Sequence, residues 1–235
     1  MPHNLETVKK IVPGPCSVLR NNSHPGQGTV IVLGTPRGGT SVVAGICHML
    51  GVDMGISIDP SNIEDVNFQA LITKGYDKKV FKKYFRRLRS KNKIAGVKNP
   101  LMIYHIKDIY PLIDQPIFIV VSRDEVATAQ REDVEGYEFH VALEEARRMK
   151  SAILDFVNSV VEPVILISYE RLLQNSRSAI LSISSFLGCE APNDLVQKTS
   201  QLVKANCDMP NEVDFVAERM AYEKLSKLRQ LEAAG

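Results

Sequence analysis

The chain has 235 residues, of which 44% are hydrophobic and 24% charged, a composition typical of a globular protein with one sizeable core. A formal net charge of +2 is too small to argue by itself for a nucleic acid or membrane partner. The sequence also lacks an apolar signal region and a long apolar run, so we expect a cytoplasmic protein that binds neither nucleic acid nor membrane.

The cysteines argue against a metal cluster. Cys16, Cys47, Cys189 and Cys207 are widely spaced and form no Cys-x-x-Cys pair. Structural zinc sites and redox motifs use such close pairs. We therefore expect reduced, mostly buried thiols and no metal site.

The order of apolar segments predicts an α/β fold. Residues 1 to 27 are rich in Pro, Gly, Asn and Ser, which favours an irregular lead-in before a single domain over 28 to 235. Strands are predicted at Thr29 to Leu33, Ile94 to Val97, Ile117 to Val121 and Val164 to Ser168. Helices are predicted over Ser41 to Leu50, Asn62 to Thr73, Tyr76 to Leu88, Leu101 to Leu112, Glu125 to Glu132, His140 to Val157 and Ser176 to Leu187, with a charged helix within 213 to 235. Such alternation implies a central parallel sheet with helices on both faces.

The most informative segment joins the first predicted strand to the first predicted helix, and its residues are Gly34, Thr35, Pro36, Arg37, Gly38, Gly39, Thr40 and Ser41. Glycines let the backbone curl so that successive N–H groups point inward, and a helix N-terminus adds partial positive charge. The segment therefore predicts a phosphate site.

The spacing of this loop is close to the Walker pattern GxxxxGK[ST], but Thr40 holds the position of the lysine. A nucleoside triphosphatase without that lysine lacks its usual contact to the terminal phosphates. The nearest cation is Arg37, inside the loop. A P-loop kinase or nucleotidase is thus the alternative interpretation, and not the leading one.

Three stretches resemble one family, in the same order along the chain. VIVLGTPRGGTSVVAGICHMLGV resembles the 5′-phosphosulfate loop of the sulfotransferases, where a strand runs into a P-[KR]-x-G-[ST]-[ST] turn and then a helix. GVKNP at 96 to 100 is similar to the family's Lys-Asp-Pro segment, and ISYERLLQNSRSAILSISSFLG at 167 to 188 to its Tyr-Glu-x-Leu…Phe-Leu-Gly signature. The resemblance implies a P-loop NTPase-like three-layer sandwich that transfers a sulfuryl group from 3′-phosphoadenosine 5′-phosphosulfate (PAPS), without a metal.

Sulfuryl transfer needs cations where charge grows on the leaving 3′,5′-diphosphoadenosine (PAP). Arg37 is the first candidate, and the resemblance implies the same, since the family has Lys or Arg there. Loop N–H groups and the hydroxyls of Thr40 and Ser41 are expected on the 5′ phosphate. Lys98 is expected at a strand end, in reach of the transferring group, although most lysines are solvated surface residues. The residues assigned to the 5′ phosphate are Pro36, Arg37, Gly38, Gly39, Thr40 and Ser41.

The candidate bases are Glu64 and Asp65, because a carboxylate beside bound cations can take the proton of the acceptor. Acidic residues also cap helices, and that interpretation stays equally open. His105 is the weaker candidate. Family members with a Lys-Thr-His segment use that histidine, but Asn99-Pro100 stands there in this sequence.

The resemblance assigns the 3′ phosphate to an arginine after a central strand and a serine eight residues later. Arg123 follows the strand, but Arg131 stands at the eighth position, and the nearer polar residues are Thr128 and Gln130. Ser122 is a substitute donor. A simple helix cap with surface charge is the competing interpretation for Arg123.

Ten Lys or Arg residues and one acid, Asp77, lie between Lys74 and Lys93. This basic segment is explained either as a solvated helix face or as a surface that attracts an anionic acceptor such as an acidic polysaccharide, or nucleic acid. The expected acceptor is a small molecule or carbohydrate, with an anionic one and an oligomeric enzyme left open.

Overall fold

The structure, a computed structural model, describes residues 14–75, 77–90, 92–134, 136–208 and 213–234. Its strands are β1 (Cys16–Arg20), β2 (Gly28–Leu33), β3 (Ile58–Asp59), β4 (Glu64–Asp65), β5 (Ile94–Lys98), β6 (Pro116–Ser122) and β7 (Val164–Ser168). Five of them form the central sheet in the order β1-β7-β6-β2-β5, while β3 and β4 pair separately.

The helices are α1 (Thr40–Met49), α2 (Val66–Lys74), α3 (Lys78–Arg89), α4 (Ile106–Ile109), α5 (Glu125–Asp133), α6 (Phe139–Ser159), α7 (Tyr169–Gln174), α8 (Ser176–Leu187), α9 (Asn193–Asp208) and α10 (Phe215–Ala234). Short 3-10 segments cover Pro100–Tyr104 and Tyr110–Leu112. In the part of the chain that the structure describes, no helix has the length and apolar character needed to cross a membrane.

The sheet is covered on both faces because its strands are apolar on both sides. Side chains alternate along β2, so that Val30 and Val32 pack into one core cluster and Ile31 and Leu33 into the other. The first cluster includes residues of α1, α8 and α9, and the second includes residues of α3 and α6. This is the predicted three-layer α/β arrangement, which is confirmed.

The four predicted strands correspond to β2, β5, β6 and β7, which are parallel to one another. The expectation of an irregular lead-in over 1 to 27 is wrong for β1, which pairs antiparallel with β7 and makes the sheet mixed. Residues 1–13 lie outside the described chain. β1 escapes the sequence patterns because it is an edge strand of only five residues, most of them exposed or half-buried.

Two predicted helices differ in the structure. The helix expected from Asn62 begins only at Val66, because β4 pairs with β3 first and the Asp65 carboxylate then caps α2 by accepting the Phe68 N–H at 2.9 Å. The helix expected over 101 to 112 is divided into 3-10 and α segments, with Pro111, which has no N–H to donate, in the last of them. The sequence patterns also missed α7 and α9. Tyr76, the predicted start of α3, lies outside the described residues.

The cysteines whose side chains are described are free thiols. Cys47 is buried in the core, and burial raises its pKa far above the usual thiol range. Cys16 and Cys189 are half-buried, and burial raises the pKa of Cys16 to about 11. These thiols are therefore protonated at neutral pH and poor nucleophiles. The side chain of Cys207 lies outside the described part.

Candidate active site

The carboxyl ends of β5, β2, β6 and β7 meet at one edge of the sheet because these strands are parallel. A cleft of about 1040 Å³ opens at this edge. Its walls include the loop after β2, the last residue of β5, the start of α2 and one side of α6. Open α/β sheets bind their ligands at this edge, and the volume suits a nucleotide-sized molecule.

The loop after β2 forms a tight turn into α1. The Gly38 N–H donates to the Thr35 carbonyl at 3.0 Å, Arg37 has φ of 54° and Gly39 has φ of 86°. Gly39 is the N-cap of α1, and it supplies no side-chain hydrogen bond to the first turn. By contrast, side chains cap α2, α3, α5, α7 and α8. The N–H groups at the start of α1 are thus left for an anion, and the loop fits the predicted phosphate site.

The glycines of the loop are required by the space around them, and Gly39 is required by its backbone angle as well. A Cβ on Gly39 would lie 2.2 Å from Cδ2 of Tyr169, and a Cβ on Gly38 would lie 2.6 Å from Oγ1 of Thr35. Gly34 is equally confined, since its Cβ would lie 2.5 Å from Cγ2 of Thr40. The loop and the start of α7 therefore pack with no room for added atoms.

We expect Gly39→Ala to lower the free energy of unfolding by about 2–4 kcal/mol, since it combines a left-handed backbone angle with displacement of the Tyr169 ring. The matched control is Gly26→Ala, which also has positive φ, 77°, but whose new Cβ would make only an ordinary contact, 3.5 Å from the Gly188 carbonyl oxygen. This control should cost only about 1–2 kcal/mol. Urea unfolding of both variants measures the difference, and equal losses would contradict the packing argument.

Two arginines meet at the loop. Arg123, directly after β6, donates from Nη1 to the Arg37 carbonyl at 2.6 Å, and its guanidinium lies 5.3 Å from the centre of the Tyr169 ring. The Arg37 side chain extends from the same loop and has Nε 3.8 Å from Oε1 of Glu132 in α5. Arg123 is thereby linked to the loop that leads into α1.

Lys98 and Glu64 form a buried ion pair on the cleft wall. Lys98 Nζ donates to Glu64 Oε1 at 2.7 Å, and Asn99 Nδ2 donates to Glu64 Oε2 at 3.0 Å. Only 3% of the Lys98 side chain and 11% of the Glu64 side chain are exposed, and both residues line the cleft. Both carboxylate oxygens are therefore oriented by donors, at the point where a ligand would enter.

Burial lowers the pKa of Lys98 below the usual value of 10.5, and the nearby Arg37 charge lowers it further, against the opposing effect of Glu64. A lysine with a lowered pKa loses its proton at lower pH. If the Lys98 charge assists turnover, we expect the alkaline limb of the pH profile to lie below pH 10.5.

The matching variant is Lys98→Arg, whose guanidinium stays charged across this range, so its alkaline limb should move to higher pH. Turnover against pH measures the limb in both proteins, and thermal unfolding verifies that the variant is folded. An unchanged alkaline limb in Lys98→Arg would contradict the assignment.

Asp65, the second candidate base, is placed elsewhere. It is 1% exposed, and its carboxylate accepts backbone N–H groups from Ile56, Ser57 and Phe68. These bonds tie the β3–β4 ladder to the start of α2. Because neighbouring residues of a strand point to opposite sides, Glu64 lies on the cleft wall and Asp65 does not.

The remaining predicted residues divide by position. Pro36, Thr40 and Ser41 line the cleft with Arg37. Ser122 lines a separate cavity of about 100 Å³ that also contacts Arg123. The described residues that line the cleft do not include Gly38, Arg123 or Arg131. They do not include His105 either, which lies between a 3-10 segment and α4. Their roles stay predictions.

The sequence patterns assigned no role to three residues that the structure places at the loop and the buried ion pair. Asn99 orients Glu64, Glu132 pairs with Arg37, and Tyr169 packs against both Gly39 and Arg123. Tyr169 and Asn99 lie within the stretches that resemble sulfotransferase motifs, so the sequence could have identified them as candidate site residues. Tyr137, which precedes α6, and His140 in α6 also line the cleft, but no sequence motif pointed to them.

Comparisons with known proteins come from structure alone, since neither a protein-family model nor a curated protein matches this chain. The sulfotransferase domain of the Synechococcus PCC 7002 olefin synthase matches with a TM-score of 0.51 and 17% identity, over 75% of this chain and 78% of its own. Sulfotransferase STF9 from Mycobacterium avium matches with a TM-score of 0.52 and 11% identity, over 79% and 69% of the two chains.

A mouse sulfotransferase complexed with PAP also matches, with a TM-score of 0.48 and 15% identity, over 75% of this chain and 64% of its own. The first two matches have TM-scores above 0.5 and cover more than two thirds of both chains. This chain therefore has the sulfotransferase fold.

Proposed function

We propose that the protein transfers a sulfuryl group from PAPS to a hydroxyl or amine of an acceptor, without a metal ion. The observation that carries the proposal is the cleft itself. It joins an uncapped helix N-terminus, two cations and an oriented carboxylate at the carboxyl edge of the sheet.

The loop residues suit the 5′ end of the donor. The first-turn N–H groups of α1 and the Thr40 and Ser41 hydroxyls, which line the cleft, would bind the 5′ phosphate. Arg123 would bind the 3′ phosphate, because it is anchored to the same loop through the Arg37 carbonyl. Arg37 would lie against the bridging oxygen, where charge develops as PAP leaves.

The acceptor side needs a base. In the proposed step the acceptor oxygen or nitrogen bonds to sulfur, the bond from sulfur to the bridging oxygen of PAP breaks, and the acceptor proton passes to Glu64. Once protonated, Glu64 no longer balances the Lys98 ammonium 2.7 Å away. The Lys98 charge is then available to the departing oxygen, so proton transfer and leaving-group stabilisation are coupled.

The charges that this chain supplies support the proposal that no metal is needed. The sulfate end of the donor carries a single negative charge, which Arg37, Lys98 and the α1 N-terminus can balance. A triphosphate needs the Walker lysine and magnesium, and Thr40 occupies that lysine position, buried at 3% exposure.

The test is transfer of radiolabelled sulfate from PAPS to a panel of phenols, amines and polysaccharides, with EDTA present. We expect label in at least one acceptor and an equal amount of PAP released. Label that appears only when magnesium is added, or PAP release with no labelled product, would contradict the proposed reaction.

A further inference from the structure

The most strongly charged surface of the described chain lies on α3, outside the cleft. Six of its residues are exposed cations, and we call them the α3 basic face: Lys78, Lys79, Lys82, Lys83, Arg86 and Arg87. They stand in pairs that repeat every four residues, which places successive pairs about 6 Å apart along one side of the helix. The surface is therefore a regular linear array of positive charge.

This arrangement opposes the stability of α3. Lys78 and Lys79 occupy the first turn, where the helix dipole disfavours cations, and like charges recur at the unfavourable i,i+4 spacing. Within the described part of the chain, none of the six forms an ion pair with a carboxylate. Asp77, the one acid nearby, caps the helix by accepting the N–H groups of Lys79 and Val80.

Exposed arginines on another helix of the same protein are arranged differently. On α6, Arg147 and Arg148 pair with Glu144 and Glu145 three residues earlier, at 2.7 Å and 2.9 Å. Mixed charges of this kind remove self-repulsion. The unmixed α3 basic face indicates that the missing negative charge comes from a partner.

The other side of α3 limits what the partner can be. Phe81, Tyr84, Phe85 and Leu88 are buried in the core, between 1% and 6% exposed. They are unavailable for stacking on bases or for insertion into a bilayer. Apart from Val80, the side chains of α3 outside the core are exposed or partly buried cations, and this surface suits a linear polyanion that needs no stacking and little apolar contact.

The α3 basic face lies on the same side of the domain as α2, which leads to the cleft. Phe68 of α2 contacts the buried side of α3, with its ring centre 5.9 Å from that of Phe81 and 5.2 Å from that of Tyr84, while Gln69 of the same helix lines the cleft. α2 begins two residues after Glu64, with Asp65 as its N-cap. Because the α3 basic face is on the far side of α3 from these contacts, about two helix diameters, roughly 20 Å, separate it from the cleft.

We propose that the α3 basic face is a docking surface for a linear acidic polysaccharide. Sugar units of such a chain bear hydroxyl groups, so a polymer held on α3 can extend past α2 and offer one of them to the cleft. The role of the polymer as acceptor rests on the proposed sulfuryl transfer, whereas its binding does not.

The test measures binding of a fluorescent heparin oligosaccharide to the full chain by anisotropy over a range of salt. The triple variant Lys79→Gln, Lys82→Gln and Lys83→Gln should weaken binding by about tenfold or more and flatten its salt dependence. The matched control replaces three exposed lysines elsewhere, Lys204, Lys224 and Lys227, by Gln and should change binding by less than about twofold. Gln has nearly the helix propensity of Lys, and thermal unfolding checks both variants.

Equal weakening in both triple variants would overturn the docking surface. So would tighter binding of a DNA duplex of equal charge, or of phosphatidylserine vesicles, when that binding is lost in the α3 variant. The acceptor role is tested with PAPS and desulfated heparin, where the α3 variant should raise KM and leave turnover at saturation unchanged.

A measurement of PAP binding distinguishes a failure of the acceptor role from a failure of the proposed sulfuryl transfer. A wild-type protein that binds PAP and oligosaccharide but sulfates no polysaccharide overturns the acceptor role. A protein that binds oligosaccharide through α3 but fails to bind PAP contradicts the proposed function and supports the docking surface.

Discussion

Replacing Arg37 by alanine should lower turnover by about a hundred- to a thousandfold while the protein stays folded. The lost guanidinium extends from the loop beside the α1 N-terminus, where charge would develop on the leaving group in the proposed reaction. Its contribution to stability is small, because the side chain is 36% exposed and its ion pair with Glu132 is 3.8 Å long. Turnover is measured as PAP release from PAPS with the best acceptor of the panel.

The control for Arg37→Ala is Arg229→Ala. Arg229 is an exposed residue of the C-terminal helix, and its Nη1 lies 3.4 Å from Oδ2 of Asp194. This variant should keep its turnover. Arg37→Lys should retain part of the activity, since it keeps the charge and loses the planar fork. Turnover that survives in Arg37→Ala would remove Arg37 from the reaction.

Replacing Glu64 by glutamine should lower turnover by about a hundredfold or more while PAP still binds. The amide cannot take the acceptor proton. It also leaves the Lys98 ammonium buried without its counterion, so stability should fall as well. Turnover is therefore expressed per folded molecule, with the folded fraction taken from thermal unfolding at the assay temperature.

The matched variant at the neighbouring position is Asp65→Asn. Both Asp65 oxygens accept backbone N–H groups, and an amide would turn its own N–H groups toward one set of those donors. We expect a loss of about 3 kcal/mol in the free energy of unfolding, with turnover per folded molecule retained. If Asp65→Asn were stable but inactive while Glu64→Gln stayed active, Asp65 would be the base and Glu64 the structural carboxylate.

The sequence alone does not distinguish the role of Glu64 from that of Asp65. Both are acidic, adjacent and close to a predicted helix, so composition and spacing treat them alike. The choice between them is made by the β3–β4 ladder, which turns one side chain to Lys98 and the other back to the backbone of its own segment. A pair of two-residue strands leaves no periodic pattern by which it could be predicted.

The loop and the buried strands were predictable for the opposite reason. Continuous apolar runs such as Ile117 to Val121 occur where a strand is covered on both faces, and the glycines of the loop are fixed by local backbone geometry. β1 was not predictable, because its position depends on hydrogen bonds to β7, more than 140 residues later in the chain. The position of the α6 wall could not be predicted either, because it depends on how a long helix packs on the sheet.

The most direct test of the proposed function is ligand binding by thermal shift with EDTA present. PAP at about 100 times its Kd should raise the melting temperature by about 5–10 °C, and ATP at the same concentration should raise it much less. Arg123 and the α1 N-terminus would bind both phosphates of PAP, whereas Thr40 replaces the lysine that a triphosphate needs. A magnesium-dependent shift with ATP that survives in Arg37→Ala, together with no shift with PAP, would contradict the sulfuryl transfer proposed for this cleft.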